Sequence, residues 1–455
     1  MKNTLVISFL LWINTICVIR VNAQNSDSLS LPDFSMLRAE EDYSFLKDNM
    51  PDNVIWKRIK YLSLGKNSFV SIGGNIRSEV QYRINENWEE QQNVALFQRL
   101  MIHSDFRLLP HFRIFNQFKS GYTIGRDTPF FLDNDDIDFH QLFLEYSKGK
   151  YQFRLGRQEL ALGVKRLISI REGTNIRQSF DGIRLTLDMD EWHLDVLGFA
   201  YNPQQLGAFD NQISTDELLW GAYATRPLMD NEQKLDIYYL GFRNVNANYI
   251  RESGRETRHS FGTRWSGRIN RLILNNEAIF QFGHIEDKSI IAWTISADMN
   301  YLIDRGILSS VGLKVDIVSG DNDNTETLES FNALYPRGGY FGLLALIGPS
   351  NLIDVHPSLG LSLTDNFSVG IDLDVFWRYS LDDGIYFPSG RLNRFSEMSN
   401  SRYIGYQTGI QLAYETNQHL SIESSYFHFF NGSFIKDITT DHDISQLTFT
   451  TSFTF

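Results

Sequence analysis

The stretch FSVGIDLDVFWRYS, residues 367–380, alternates without a break. Phe367, Val369, Ile371, Leu373, Val375, Trp377 and Tyr379 share one parity, and Ser368, Gly370, Asp372, Asp374, Phe376, Arg378 and Ser380 the other. Successive side chains of a strand point to opposite faces, so one face here is wholly apolar and the other carries charge. Residues 70–83 repeat the pattern, with Val70, Ile72, Ile76, Val80 and Tyr82 opposing Ser71, Asn75, Arg77, Glu79, Gln81 and Arg83. Phe261 and Trp265 likewise oppose Arg258, Arg264 and Arg268, and Val311, Leu313, Val315 and Ile317 oppose Lys314 and Asp316. Alternation alone suits a soluble sandwich as well as a membrane barrel, since each has one apolar face.

The connections separate the two. Eighteen strands are expected, beginning near residues 70, 97, 112, 139, 151, 179, 192, 218, 233, 258, 272, 290, 308, 356, 366, 403, 418 and 446. Short links at 109–111, 148–150, 189–191, 227–232, 269–271, 302–306, 364–366 and 416–418 alternate with long ones such as 121–138, 160–178, 319–355 and 381–402. Short turns on one rim, long loops on the other and an even strand number describe an outer-membrane barrel. The expected fold is therefore all-β, a closed antiparallel transmembrane β-barrel of about 18 strands over residues 65–455. Closure satisfies every backbone donor and acceptor within lipid. The last residues agree: Leu447, Phe449, Thr451, Phe453 and Phe455 alternate. A terminal strand ending on an aromatic resembles the signal read by bacterial barrel-assembly machinery, an expected partner in biogenesis alongside outer-membrane lipid.

The composition fits. Aromatics make up 14% of 455 residues, Pro is only 10, and the net charge is −13. Residues 1–23 read as a secretory signal: Lys2, an apolar core over 5–19, and Val21-Asn22-Ala23 as cleavage site. No other stretch approaches the apolar length of a membrane-spanning helix. Removing residues 1–23 takes Lys2 and Arg20, leaving 40 basic against 55 acidic residues, a charge of −15. It also takes Cys17, the only cysteine, so neither disulfides nor thiolate metal sites are expected. The acidic balance argues against nucleic acid as a partner. Residues 24–64 read as a periplasmic lead-in with a short amphipathic helix around 34–46.

Motifs for covalent chemistry are lacking: no GxSxG, HExxH or GxxxxGK[ST] occurs. A barrel hydrolase would need a Ser and a His meeting on the outer face, for which His419, His428 and Ser425 are available. No resident cofactor or metal is expected. Calcium in the acidic loops stays open, at Asp133, Asp135, Asp136 and Asp138 or at Asp321, Asp323 and Asn324. An eighteen-stranded barrel leaves an aqueous channel. Parity turns Arg77, Arg99, Arg107, Arg113, Lys119, Arg154, Arg184, Arg258, Arg264, Lys314 and Arg378 into it. Asp105, Glu145, Glu277, Asp298, Asp316, Asp372, Asp374 and Glu415 face the same way. Parity alone leaves open whether the lumen is electropositive or mutually neutralised.

Several segments, in order, resemble the alginate export family of outer-membrane barrels. They are LGRQELALGVKRLISIREGTNIRQSFDGIRL (155–185), LDIYYLGFR (235–243), FNALYPRGGYFG (331–342), SNLIDVHPSL (350–359) and DVFWRYSLDDGIY (374–386). The resemblance implies an arginine-lined conduit that passes an anionic polysaccharide, with no enzymatic step. Beside Arg77, Arg154 and Arg184 from parity, it nominates Arg157, Arg166, Arg171, Arg177, Asp181, Arg337 and Arg378 as conduit residues. Strict parity sets Arg157 and Asp181 on the face opposite Arg154 and Arg184. A bulge near Gly156 or Gly182, or a position above the membrane, would reconcile this. A general diffusion porin for small solutes is the alternative.

Overall fold

The computed structural model describes residues 31–455 except 49–54, 127–129, 131, 230–231, 324–325, 395–398 and 440. The expected signal segment, 1–23, and Asn324 lie outside the described residues. Eighteen strands build the wall. They are β1 Ser68–Ile84, β2 Gln92–Leu108, β3 Phe112–Ile124, β4 Asp135–Lys148, β5 Tyr151–Gln158 and β6 Phe180–Asp188. Next come β7 His193–Tyr201, β8 Glu217–Leu228, β9 Gln233–Asn248, β10 Ser253–Ile269, β11 Leu272–Ile285 and β12 Lys288–Arg305. The last are β13 Leu308–Val318, β14 Leu352–Thr364, β15 Phe367–Trp377, β16 Tyr403–Asn417, β17 Leu420–Asn431 and β18 Ile444–Thr454. Each pairs antiparallel with its sequence neighbours, and β18 returns to β1 in the register Asn75↔Thr454 to Ile84↔Ser445, closing the barrel. The largest offsets from the expected starts are five residues, 92 against 97 and 253 against 258.

The period of two explains the wall. Leu142, Leu144, Ile295, Leu313 and Phe449 are exposed on the outer face, where lipid would cover them. Their neighbours Gln141, Glu145, Ser296, Asp316 and Gln446 are buried inside. No described helix is long and apolar enough to cross a membrane; crossing is by strands. Among the external connections only those at 249–252 and 286–287 are tight.

The largest apolar core lies in the lumen. Loop 159–179 contributes Leu160, Leu162, Leu167 and Ile168, which pack against Phe331, Leu334, Tyr335, Phe341 and Leu344 of loop 319–351. Ser169 N–H donates to Tyr335 O at 2.9 Å and Tyr335 N–H to Leu167 O at 2.8 Å, tying the two loops as a short parallel bridge.

The N-terminal segment also enters the barrel. Ala39 packs on Phe115 and Phe143, while Leu31, Tyr43 and Leu46 pack with Tyr61 and Phe69. The helix expected around 34–46 is replaced by two 3-10 turns, Arg38–Glu40 and Ser44–Lys47. The reason lies in the carbonyls: Ala39 O accepts from Arg113 at 2.7 Å, Glu41 O from Arg107 at 3.0 Å and Met36 O from Arg177 at 3.3 Å. Guanidinium groups of the wall and loop take the acceptors that a helix would have used internally.

Candidate functional site

Three arginines converge on one carboxylate inside the lumen. Arg77 on β1 and Arg99 on β2 stand opposite one another in the ladder, and Arg177 comes from the inward loop. Between them sits Glu172 of the same loop. Arg99 Nη2 lies 2.5 Å from its Oε1, Arg177 Nε pairs with Oε2, and Arg77 Nη1 lies 4.0 Å from Oε1. Arg77 also donates to the carbonyls of Glu172 and Thr174, at 2.9 and 3.0 Å. Burial opposes ionisation of Glu172, but the charges of Arg99, Arg177 and Arg77 outweigh it and hold the carboxyl well below the usual carboxylate range. Its side chain remains 34% exposed. The arrangement holds one carboxylate, the chain's own glutamate, among three guanidinium groups, a geometry that suits charge-assisted and forked contacts.

The other nominated residues divide by what occupies them. Arg154 gives Nε and Nη2 to Glu145, at 2.9 and 2.7 Å, and Arg113 shares that carboxylate. Arg184 forks onto Asp195 at 2.8 Å twice. Arg166 is buried between Glu277 and Asp316 and bonds the Tyr340 hydroxyl. Arg177 also meets Glu159 at 3.1 Å. Arg157 forks onto Asp181 and reaches Asn211 O in the external loop 202–216. The β5–β6 register runs without a shift through Gly156↔Gly182, so no bulge turns this pair inward; it sits at the external rim. Arg378 is the plainest departure from parity. It follows the last residue of β15, is fully buried, and directs its donors at the carbonyls of Leu381, Asp383, Ser399 and Ser401. It anchors a loop and does not line the conduit.

Arg171 and Arg337 make no ion pair among the described residues. Arg171 lies on the shared wall of two external cavities of about 490 and 500 Å³. Arg337 lines a periplasmic-side cavity of about 300 Å³, which shares Asp298 and Asn300 with another of about 620 Å³. The next residue, Gly338, lines an external cavity. Residues 337–338 therefore form a partition between the two compartments.

Sequence reasoning missed Glu172: a lone acid in a loop of no fixed period carries no signal until the fold sets three arginines around it. The acidic loops face bases. Asp133 meets Arg126 at 3.0 Å, Asp135 meets Lys119 at 3.3 Å, Asp138 meets Arg157 at 3.5 Å, and Asp321 and Asp323 meet Arg251. Ser425 and His428 stand on opposite faces of β17. His428 lies instead 2.7 Å from the Ser445 hydroxyl, away from the cavities above.

A family model described as alginate export matches residues 68–447. Solved structures similar to this chain are outer-membrane proteins of Pseudomonas aeruginosa. OccK2 (OpdF) in complex with glucuronate aligns with a TM-score of 0.59 at 11% identity, covering 87% of this chain and 99% of that one. OpdK aligns at 0.60 and 10% identity, and OccK8 (OprE) at 0.59 and 12%, each covering 85% of this chain and 98% of the other. Identities this low speak for the barrel alone. A comparison with curated proteins finds no match.

Proposed function

The chain belongs to the alginate export family, as a channel-type barrel of the Gram-negative outer membrane, and from that premise we propose that it passes anionic saccharides of the uronate class. The observation that carries this reading is the Arg77–Arg99–Arg177 receptor closed on Glu172. A uronate carboxylate has the charge and fork geometry of the glutamate and would exchange with it. Arg171 on the external side and Arg337 on the periplasmic side provide a way in and a way out. Many weak sites favour passage over trapping, because no single contact holds the solute. Passage is passive in this reading, and no covalent step is invoked. The capture of glucuronate by OccK2 supports the solute class.

Planar-bilayer current through the purified barrel tests the reading. Uronate oligomers are expected to block at low millimolar concentration or below. Arg99→Ala should weaken block by about tenfold, as expected for loss of one charge-assisted contact of ~1.4 kcal/mol. Glu172→Gln, which removes the internal competitor, should strengthen it. A general diffusion porin draws support from the neutralised pairs, such as Arg113 and Arg154 on Glu145. Current indifferent to uronate oligomers in parent and variants alike would decide for that alternative.

A further inference from the structure

On the lumen face of β14, Asp354 and His356 stand two residues apart, and the neighbouring strand β15 brings Asp374 beside them. One ligand atom from each lies within 4.8 Å of the other two. We infer that Asp354, His356 and Asp374 form a binding site for a divalent transition-metal ion, with zinc the first choice.

Three observations carry this. Asp354 is fully buried and neither carboxylate oxygen has a hydrogen-bond partner; its nearest cation, Lys314 Nζ, lies 3.9 Å away and donates instead to Tyr340 O at 2.6 Å. A bare buried carboxylate is expensive, and a coordinated cation removes that cost. Second, His356 Nε2 lies 3.1 Å from Asp372 Oδ1. That contact fixes the proton on Nε2 and turns the Nδ1 lone pair toward Asp374, the carboxylate–histidine arrangement that orients metal ligands. Third, Nδ1 and Asp374 Oδ1 face one another at 2.5 Å with no hydrogen bond between them, a contact of lone-pair atoms that a shared cation relieves once the ring backs away by about half an ångström to ligand spacing. A doubly protonated imidazole would relieve that pair but leaves Asp354 bare. The neighbouring Asp316 is already held by Arg166 at 2.6 Å. One imidazole nitrogen and two carboxylates suit zinc and its first-row neighbours better than calcium, which prefers six or more oxygens. His356 and Asp374 line the 300 Å³ cavity. Three protein ligands thus leave an open position for water or a solute carboxylate.

The full-length barrel, stripped with a chelator in detergent, is titrated with zinc by calorimetry and melted with and without it. One zinc per chain with micromolar or tighter affinity is expected, together with a rise in melting temperature. Asp354→Asn and His356→Gln should each cost at least tenfold in affinity and abolish the rise. Without zinc, Asp354→Asn should melt no lower than the parent, since a neutral amide replaces the bare carboxylate. His193→Ala, at a half-exposed histidine outside the cavity, should leave the zinc affinity and the zinc-induced rise unchanged. Should Asp354→Asn fail to fold, His356→Gln carries the same comparison. No zinc binding at millimolar concentration, binding that survives both substitutions, or an equal response to calcium overturns the assignment.

Discussion

At Arg378 one guanidinium makes five hydrogen bonds to four backbone carbonyls and lies 4.1 Å from the Phe434 ring centroid. Hydrogen bonds to a charged group contribute ~1.5–3 kcal/mol each, so Arg378→Ala should destabilise the loop by at least about 2 kcal/mol. Faster amide exchange over residues 379–394, with ion selectivity unchanged, is the expected result; a selectivity change would return Arg378 to the conduit. Lys60 makes the opposite case. It is fully buried, with its Nζ 4.9 Å from the Tyr43 ring centroid and 5.1 Å from that of Phe34. Burial, aided by the charge of Arg38 and opposed by Glu41, pushes its pKa down to about 7. The unfolded side chain binds its proton up to about pH 10.4. Between these values the unfolded chain holds more protons, so docking of the segment strengthens as pH rises from 7 to 10. Exchange protection of residues 36–46 should increase over that window, and Lys60→Met should flatten the dependence.

Among the elements, strands were legible and inward loops were not. A strand announces itself by a period of two, and that period turns Arg77, Arg154 and Arg184 to the face on which Glu172, Glu145 and Asp195 meet them. The strand stops at Trp377 while the alternation runs on to Ser380, so parity turns Arg378 into the channel at a point where the chain has left the wall. Loop 159–179 has no period at all, so neither its fold into the lumen nor the placing of Glu172 could be read. The Asp354–His356–Asp374 group escaped for another reason: two ligands on one strand and a third on its neighbour leave only Asp-x-His in the sequence. The N-terminal segment is the element with the clearest functional consequence. Residues 36–41 reach from Phe455 O, through Arg38, to Arg177 of the inward loop, inside the periplasmic end of the barrel. Deleting residues 31–48 should raise single-channel conductance while leaving the strand signature in circular dichroism intact. Unchanged conductance would mean that solutes take another route.

For the molecule as a whole, a single physical constraint accounts for most of the design. The wall must be apolar outside and polar inside, which sets the slightly negative mean hydropathy of −0.26 and permits buried ion pairs that a solid core would not tolerate. The net charge of −13 says little about solutes, because lumen acids largely face lumen bases: even the three arginines around Glu172 meet further acids, Arg177 at Glu159 and Arg77 at Glu79. The seam between β1 and β18 has a consequence in time. Asn75 donates its amide to Thr454 across 379 residues of sequence, so the closing contacts are nearly the most remote the chain can make. Hairpins between neighbouring strands can form locally and early, but the seam must wait for the last strand, the eleven residues Ile444–Thr454. Until then both edges present unpaired amides and carbonyls, to lipid or to other chains. A chain shortened upstream of β18 is thus expected to form no smaller barrel but a sheet with two open edges.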